Sequence, residues 1–260
     1  MTIKAVLFDF DGTISTLRAG WEEVMAPFMK EAIAGERQLS AAENEALDRE
    51  IADYIDQSTG IQTIYQMQWL AGQVREKAWN GEALDEWAYK AEYNRRLLER
   101  VKDRVERLAT GQADANDYLI KGAAAFLRAL QDRGVALYVA SGTDHPDVVR
   151  EAGVLGVAGF FKEIAGAPVG QTACSKEKVL QDLIHAKGLA GSELAVVGDG
   201  KVEIRLGREA GGFAIGLASD EERREGINPV KEKRLIAAGA QWIVGDFANE
   251  AEWLEKLGLQ

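Results

Sequence analysis

The chain opens on a short unbroken apolar run. Residues 3–10 read IKAVLFDF and give way at once to a glycine-containing turn, Asp11-Gly12-Thr13. A run that short, β-favouring and ended by a turn predicts a strand buried on both faces. The texture then changes. Residues 17–117 contain one proline, Pro27, and long stretches of Ala, Glu, Arg, Leu and Gln. Apolar positions recur there at steps of three and four, most clearly at Leu84, Trp87, Ala91, Leu98, Val101, Val105 and Leu108, with Asn94 the polar member of the line. That spacing predicts one face of a long helix over 84–108. Ser40 followed by Glu43 predicts a capping box at another helix start. About four helices are expected in this block.

After residue 118 the pattern alternates. Helices are expected over 121–133, 144–152 (Pro146 in its first turn), 175–187, 202–209 and 250–257. Strands are expected over 135–140, 161–165, 194–197, 213–216 and 241–244. Strands alternating with helices predict a parallel sheet covered on both faces. The fold class is therefore α/β, a Rossmann-like parallel sheet core covered by helices. An all-α domain is inserted after its first strand, giving a core of residues 1–16 and 118–260 and a helical cap of residues 17–117.

Composition narrows the function classes. The chain has 260 residues, 47% hydrophobic and 28% charged, which suffices for a proper core. Its net charge of −11 argues against a nucleic-acid partner. No apolar run approaches a membrane span. The N-terminal segment reads as a strand rather than a signal peptide. A single cysteine, Cys174, fits a reducing cytoplasm.

In open α/β sheets, sites form beyond the carboxyl ends of the strands. Four polar clusters lie there: Asp9-Phe10-Asp11-Gly12-Thr13; Ser141-Gly142-Thr143; Lys176 and Lys178 at a helix start; and Gly198-Asp199-Gly200 with Glu203 one turn on. Two carboxylates two residues apart can divide labour, one ionised as nucleophile and the other carrying a proton. A hard cation with oxygen ligands relieves their repulsion, and Mg²⁺ suits such a site. Hydroxyls, backbone N–H groups and a lysine can hold phosphoryl oxygens. Each cluster also has a plainer reading: aspartates before glycine form turns, Ser141 and Thr143 cap helices, and helix lysines are solvated. Four clusters in register at strand ends outweigh it.

In that order, DFDGT, VASGT, a lysine at a helix start and VVGDG resemble the four motifs of the haloacid dehalogenase superfamily, in its phosphatase-like form with an inserted helical cap. The resemblance spans essentially the whole chain. It implies that Asp9 attacks phosphorus, that Asp11 protonates the leaving group and then activates water, and that Ser141 and Lys176 bind the phosphoryl group. It implies Mg²⁺ held by Asp9, the Asp11 carbonyl and Asp199. Glu203 stands where many members have a second aspartate and is counted with the metal residues, its contact with the ion expected to be indirect or through water. Lys176 is preferred to Lys178 because it sits nearer the helix start. Asp11 favours phosphoryl transfer over dehalogenation. Thr13, Gly142 and Thr143 are expected to contact substrate, joined by Gln57, Thr59 and Gln62 of the cap, whose uncharged polar groups suit sugar or polyol hydroxyls. The expected substrate is a small phosphomonoester; a phosphomutase and a non-catalytic sensor are the alternatives. His145, His185, Lys201 and Cys174 are given no role.

Overall fold

A computed structural model describes residues 2–169, 178, 185, 186, 188 and 191–260. Six parallel strands form one sheet: β1 (Ala5–Phe8), β2 (Ala136–Asp144), β3 (Glu163–Ala167), β4 (Leu194–Gly198), β5 (Phe213–Leu217) and β6 (Trp242–Val244), in the order β3-β2-β1-β4-β5-β6. The order reverses beside β1, so the carboxyl ends of β1, β2 and β4 bound the crevice where α/β folds place their ligands.

The strand β1 is wholly buried because both of its faces are packed. Ala5 and Leu7 join Tyr138, Leu194, Val196 and Leu206 in one cluster. Phe8 points the other way, with its ring 6.4 Å from those of Phe126 and Phe247. Phe126, in turn, lies 4.7 Å from the ring of Trp253. A strand packed on both faces needs no polar alternation, which is why it reads as a continuous apolar run.

The chain divides into two compact units, Met1–Ala19 with Arg104–Gln260, and Gly20–Asp103. The second holds helices α1 (Glu22–Ala34), α2 (Ala41–Ser58) and α3 (Thr63–Lys77), and most of α4 (Glu86–Ala109), which runs on into the first. Ser40 makes the expected reciprocal capping box with Glu43 at the start of α2. The expected buried stripe of α4 is corrected. Its buried line is Tyr89, Tyr93, Leu97, Val101 and Leu108, whereas Leu84 lies outside the helix at 54% exposure and Ala91 is exposed. Tyr89 and Tyr93 pack against Phe28 of α1, and aromatic contacts of that size outweigh the gain from burying a leucine that precedes the helix.

In the first unit, α5 (Ala123–Asp132), α6 (His145–Val154), α7 (Lys201–Glu209), α8 (Pro229–Ala237) and α9 (Glu250–Leu257) cover the sheet. The helix α8 falls in a stretch where none was expected. The strand β2 runs four residues past its expected end, with a register shift between Ala140 and Asp144. The helix expected over 175–187 lies largely outside the described residues. Among the described residues, no helix is long and apolar enough to cross a membrane.

Candidate active site

The nucleophile candidate Asp9 follows β1 directly. Its N–H donates to the Val197 carbonyl, continuing the pairing with β4, and its Oδ1 accepts from Phe10 N at 2.8 Å. The chain then turns sharply, with the N–H groups of Thr13, Ile14 and Ser15 all directed to the Phe10 carbonyl. Gly12 makes that turn at φ +72°, and a Cβ there would lie 2.5 Å from Asp199 Oδ2. Both facts require glycine. The close approach also shows that Asp199, at the end of β4, packs against the turn that carries Asp11.

Asp11 is held from β2. Thr143 Oγ1 donates to Asp11 Oδ2 at 2.8 Å, and Ser141 Oγ lies 3.5 Å from the same oxygen. Ser141 Oγ also accepts from Thr143 N at 3.0 Å, which fixes the bulged strand end. The other oxygen, Oδ1, has no hydrogen-bond partner among the described residues; Arg18 Nε approaches it to 3.9 Å. Burial pushes the Asp11 carboxyl up to about 6, with Glu151 and Glu221 adding to the rise, while Arg18 and the Thr143 hydrogen bond oppose it. A carboxyl that keeps its proton near pH 6 suits a general acid.

Behind Asp11 lies an ion cluster absent from the sequence expectations. Arg18 donates to Glu151 from Nε and Nη2, at 3.0 and 2.6 Å, and Asp147 Oδ2 is 3.5 Å from Nη2. Glu151 is fully buried. Burial alone would lower the proton affinity of Arg18, but the three acids around it raise it well above its ordinary value.

The end of β4 is organised by α8. Lys231 Nζ donates to Asp199 Oδ2 at 2.7 Å and to Glu221 Oε1 at 2.6 Å, and Arg234 donates to the Asp199 carbonyl at 3.1 Å. Burial opposes a charge on Lys231, but Asp199 and Glu221 outweigh it and raise its proton affinity. Sequence reading missed Lys231 and Glu221. The run Ser219-Asp220-Glu221 just beyond β5, a polar cluster at a strand end, was the available signal.

The remaining expected residues fall as follows. Thr13 is fully buried, and its hydroxyl has no hydrogen-bond partner among the described residues. Gly142 and Thr143 are half-buried at the end of β2. Glu203 is buried in the first turn of α7, folds back against Gly198 and borders the same small cavity as Asp9. Lys176 lies outside the described residues, and Lys178 is exposed. In the helical unit, Thr59 and Gln62 are buried. Thr59 Oγ1 donates to the Ile55 carbonyl at 3.0 Å, and Gln62 Oε1 has no hydrogen-bond partner among the described residues. Gln57 does not join them; it is exposed and lines an open groove with Arg49, Tyr54 and Trp69.

The donor chemistry fits a hard divalent cation. Asp9 and Asp199 offer carboxylate oxygens at adjacent strand ends, with main-chain carbonyls in the turn between. Among the described residues, no group of three or more His, Cys, Asp or Glu side chains could hold a metal.

One consequence concerns stability. Asp11 has a raised folded-state pKa, so its contribution is fully present below about 3.8 and is lost as pH rises through about 6. At pH 7.5 the metal-free protein therefore carries a penalty of up to about 3 kcal/mol for ionising Asp11. Asp11→Asn has the neutral shape without that penalty. Its melting temperature relative to wild type, in metal-free buffer, is expected to rise by several degrees between pH 5 and pH 7.5. A difference independent of pH would show that Asp11 titrates as in the unfolded chain.

Comparison with known proteins agrees with the fold. No curated protein matches the chain. Among solved structures it resembles a predicted phosphoglycolate phosphatase from Haemophilus somnus, with TM-score 0.64 and 18% identity over 97% of this chain and 98% of that one. It also resembles a β-phosphoglucomutase from Clostridium difficile, with TM-score 0.64 and 14% identity over 98% of this chain and 97% of that one. At such identities the likeness establishes the fold. The family model described as haloacid dehalogenase-like hydrolase matches residues 3–211, most of the chain; the protein belongs to that family.

Proposed function

We propose that this protein hydrolyses a small phosphomonoester through an aspartyl-phosphate on Asp9. The observation that carries the reading is the treatment of the two aspartates of one turn. Asp9 is anchored by its own backbone neighbour, while Asp11 is half-buried, gripped by Thr143 and pushed up to about 6. One carboxylate is available to attack and the other to carry a proton.

An Asp9 carboxylate oxygen attacks phosphorus, and the bond from phosphorus to the ester oxygen breaks. The Asp11 carboxyl gives its proton to the departing alkoxide, leaving an alcohol. Water then attacks the phosphorus of the aspartyl-phosphate, Asp11 takes the proton from that water, and inorganic phosphate leaves with Asp9 restored. Ser141, Gly142, Thr13 and Lys176 are the proposed phosphoryl contacts, and Thr143 orients Asp11. Mg²⁺, held by Asp9, the Asp11 carbonyl and Asp199 with Glu203 close by, would supply charge neutralisation at the phosphoryl group. Thr59 and Gln62 are the proposed polar contacts to the alcohol part of a sugar or polyol phosphate; Gln57, on its open groove, is the weakest member of that set.

The test is phosphate release from a panel of sugar, polyol and carboxylate phosphomonoesters, with Mg²⁺ and with chelator. Release that requires Mg²⁺ is the expected result. Turnover that persists fully in chelator would remove the metal from the reading. Transfer of labelled phosphate between positions of a sugar without net release would make the protein a mutase.

A further inference from the structure

The helix α8 places Lys231 and Arg234 three residues apart, on one face, and both reach Asp199. The Lys231 ammonium is buried and meets three acceptors: Asp199 Oδ2 at 2.7 Å, Glu221 Oε1 at 2.6 Å and Ser219 Oγ at 3.2 Å. Ser219 Oγ in turn donates to the Gly12 carbonyl. An ammonium has three N–H donors and no acceptor, so all its hydrogen-bonding capacity is spent within the protein. None is left for a phosphoryl oxygen, and Lys231 is therefore not a substrate ligand. It is a fixed positive charge on one oxygen of Asp199, with a fixed negative charge, Glu221, at its side.

A divalent cation held by the other Asp199 oxygen shares that carboxylate with Lys231 and feels both neighbours. We propose that the Lys231–Glu221 pair is a positioning device that sets the affinity of the site for its divalent cation. Lys231 orients Asp199 and weakens its hold on the cation, and Glu221 offsets that weakening. The proposal rests on the metal reading given above. Charges a few ångströms apart in a half-dry site interact by more than thermal energy, so removing either one shifts binding measurably.

The experiment is Mn²⁺ binding to the full chain, read from the spin-resonance signal of the free ion at constant ionic strength, without substrate. Lys231→Met is expected to bind Mn²⁺ about tenfold more tightly than wild type, and Glu221→Gln about tenfold more weakly. Lys231→Arg, which keeps the charge, stays within about threefold. Opposite signs separate this role from a structural one, since damaged packing would weaken binding in both variants. Shifts in the same direction, or none, overturn the proposal while leaving the metal site standing. If Lys231→Met does not fold, an unchanged affinity in Glu221→Gln overturns it, and a weakened one with Lys231→Arg near wild type supports it. Wild type that binds no Mn²⁺ overturns the metal reading and this proposal with it.

Discussion

Asp9→Asn is expected to reduce phosphate release by a factor on the order of 10⁴ or more, with the melting temperature within a few degrees of wild type. The amide keeps the side-chain oxygen that accepts from Phe10 N, and it has nearly the same shape as the carboxylate. The fold therefore survives. An amide oxygen is a poor nucleophile and leaves no stable acyl-phosphate, so the chemistry does not. Steady-state phosphate release and a thermal melt on the same preparation check both halves. Turnover above about one per cent of wild type would place the nucleophile elsewhere.

The second large effect is on stability. Glu151→Ala removes the two oxygens that accept from the Arg18 guanidinium and leaves that buried charge with only the more distant Asp147 and Asp11. Breaking one side of such a pair costs roughly 3–5 kcal/mol. A chain of this size then melts on the order of 10 °C lower. The double variant Arg18→Leu with Glu151→Leu is expected to melt above either single variant, since it leaves no charge uncompensated. A melt of Glu151→Ala within two degrees of wild type would show that water reaches Arg18. The same change bears on Asp11, because Glu151 raises and Arg18 lowers its proton affinity. With Glu151 gone, the alkaline limb of the pH–rate profile moves to lower pH.

The strand-end clusters were legible because of how a central parallel strand is made. Both faces of β1 and β4 are packed, so each reads as an apolar run, and the polar residues that follow must lie at its carboxyl end. Asp9, Ser141 and Asp199 could be placed on that basis alone. Lys231 could not. Its partner Asp199 lies thirty-two residues away on another element, and ion pairs across a fold leave no period in the sequence. The helix that carries it, PVKEKRLIA, has few apolar residues and starts after a loop. Arg18 and Glu151 were hidden in the same way, by a separation of 133 residues. The stripe on α4 was misplaced for a different reason. Steps of three and four fit two neighbouring lines on one amphipathic helix, and which is buried depends on the rings of Phe28, Tyr89 and Tyr93.

The position of β1 also has a consequence during synthesis. The strand leaves the ribosome well before its partners, which are Ala136 onward and Leu194 onward. At about 5–20 residues per second, the first of them emerges on the order of ten seconds later. For that interval AVLF is an apolar strand with both edges open, a template for wrong pairing. The helical unit Gly20–Asp103 is a compact unit of its own, and all of it is made in the meantime. Once folded, it shortens the loop that β1 must close. The hydrogen bonds from Thr16 N to the Tyr118 carbonyl and from Ile120 N to the Ile14 carbonyl join the incoming and outgoing chain. Because that unit is made before β2, β1 closes a shorter loop on its first neighbour once the helices have folded.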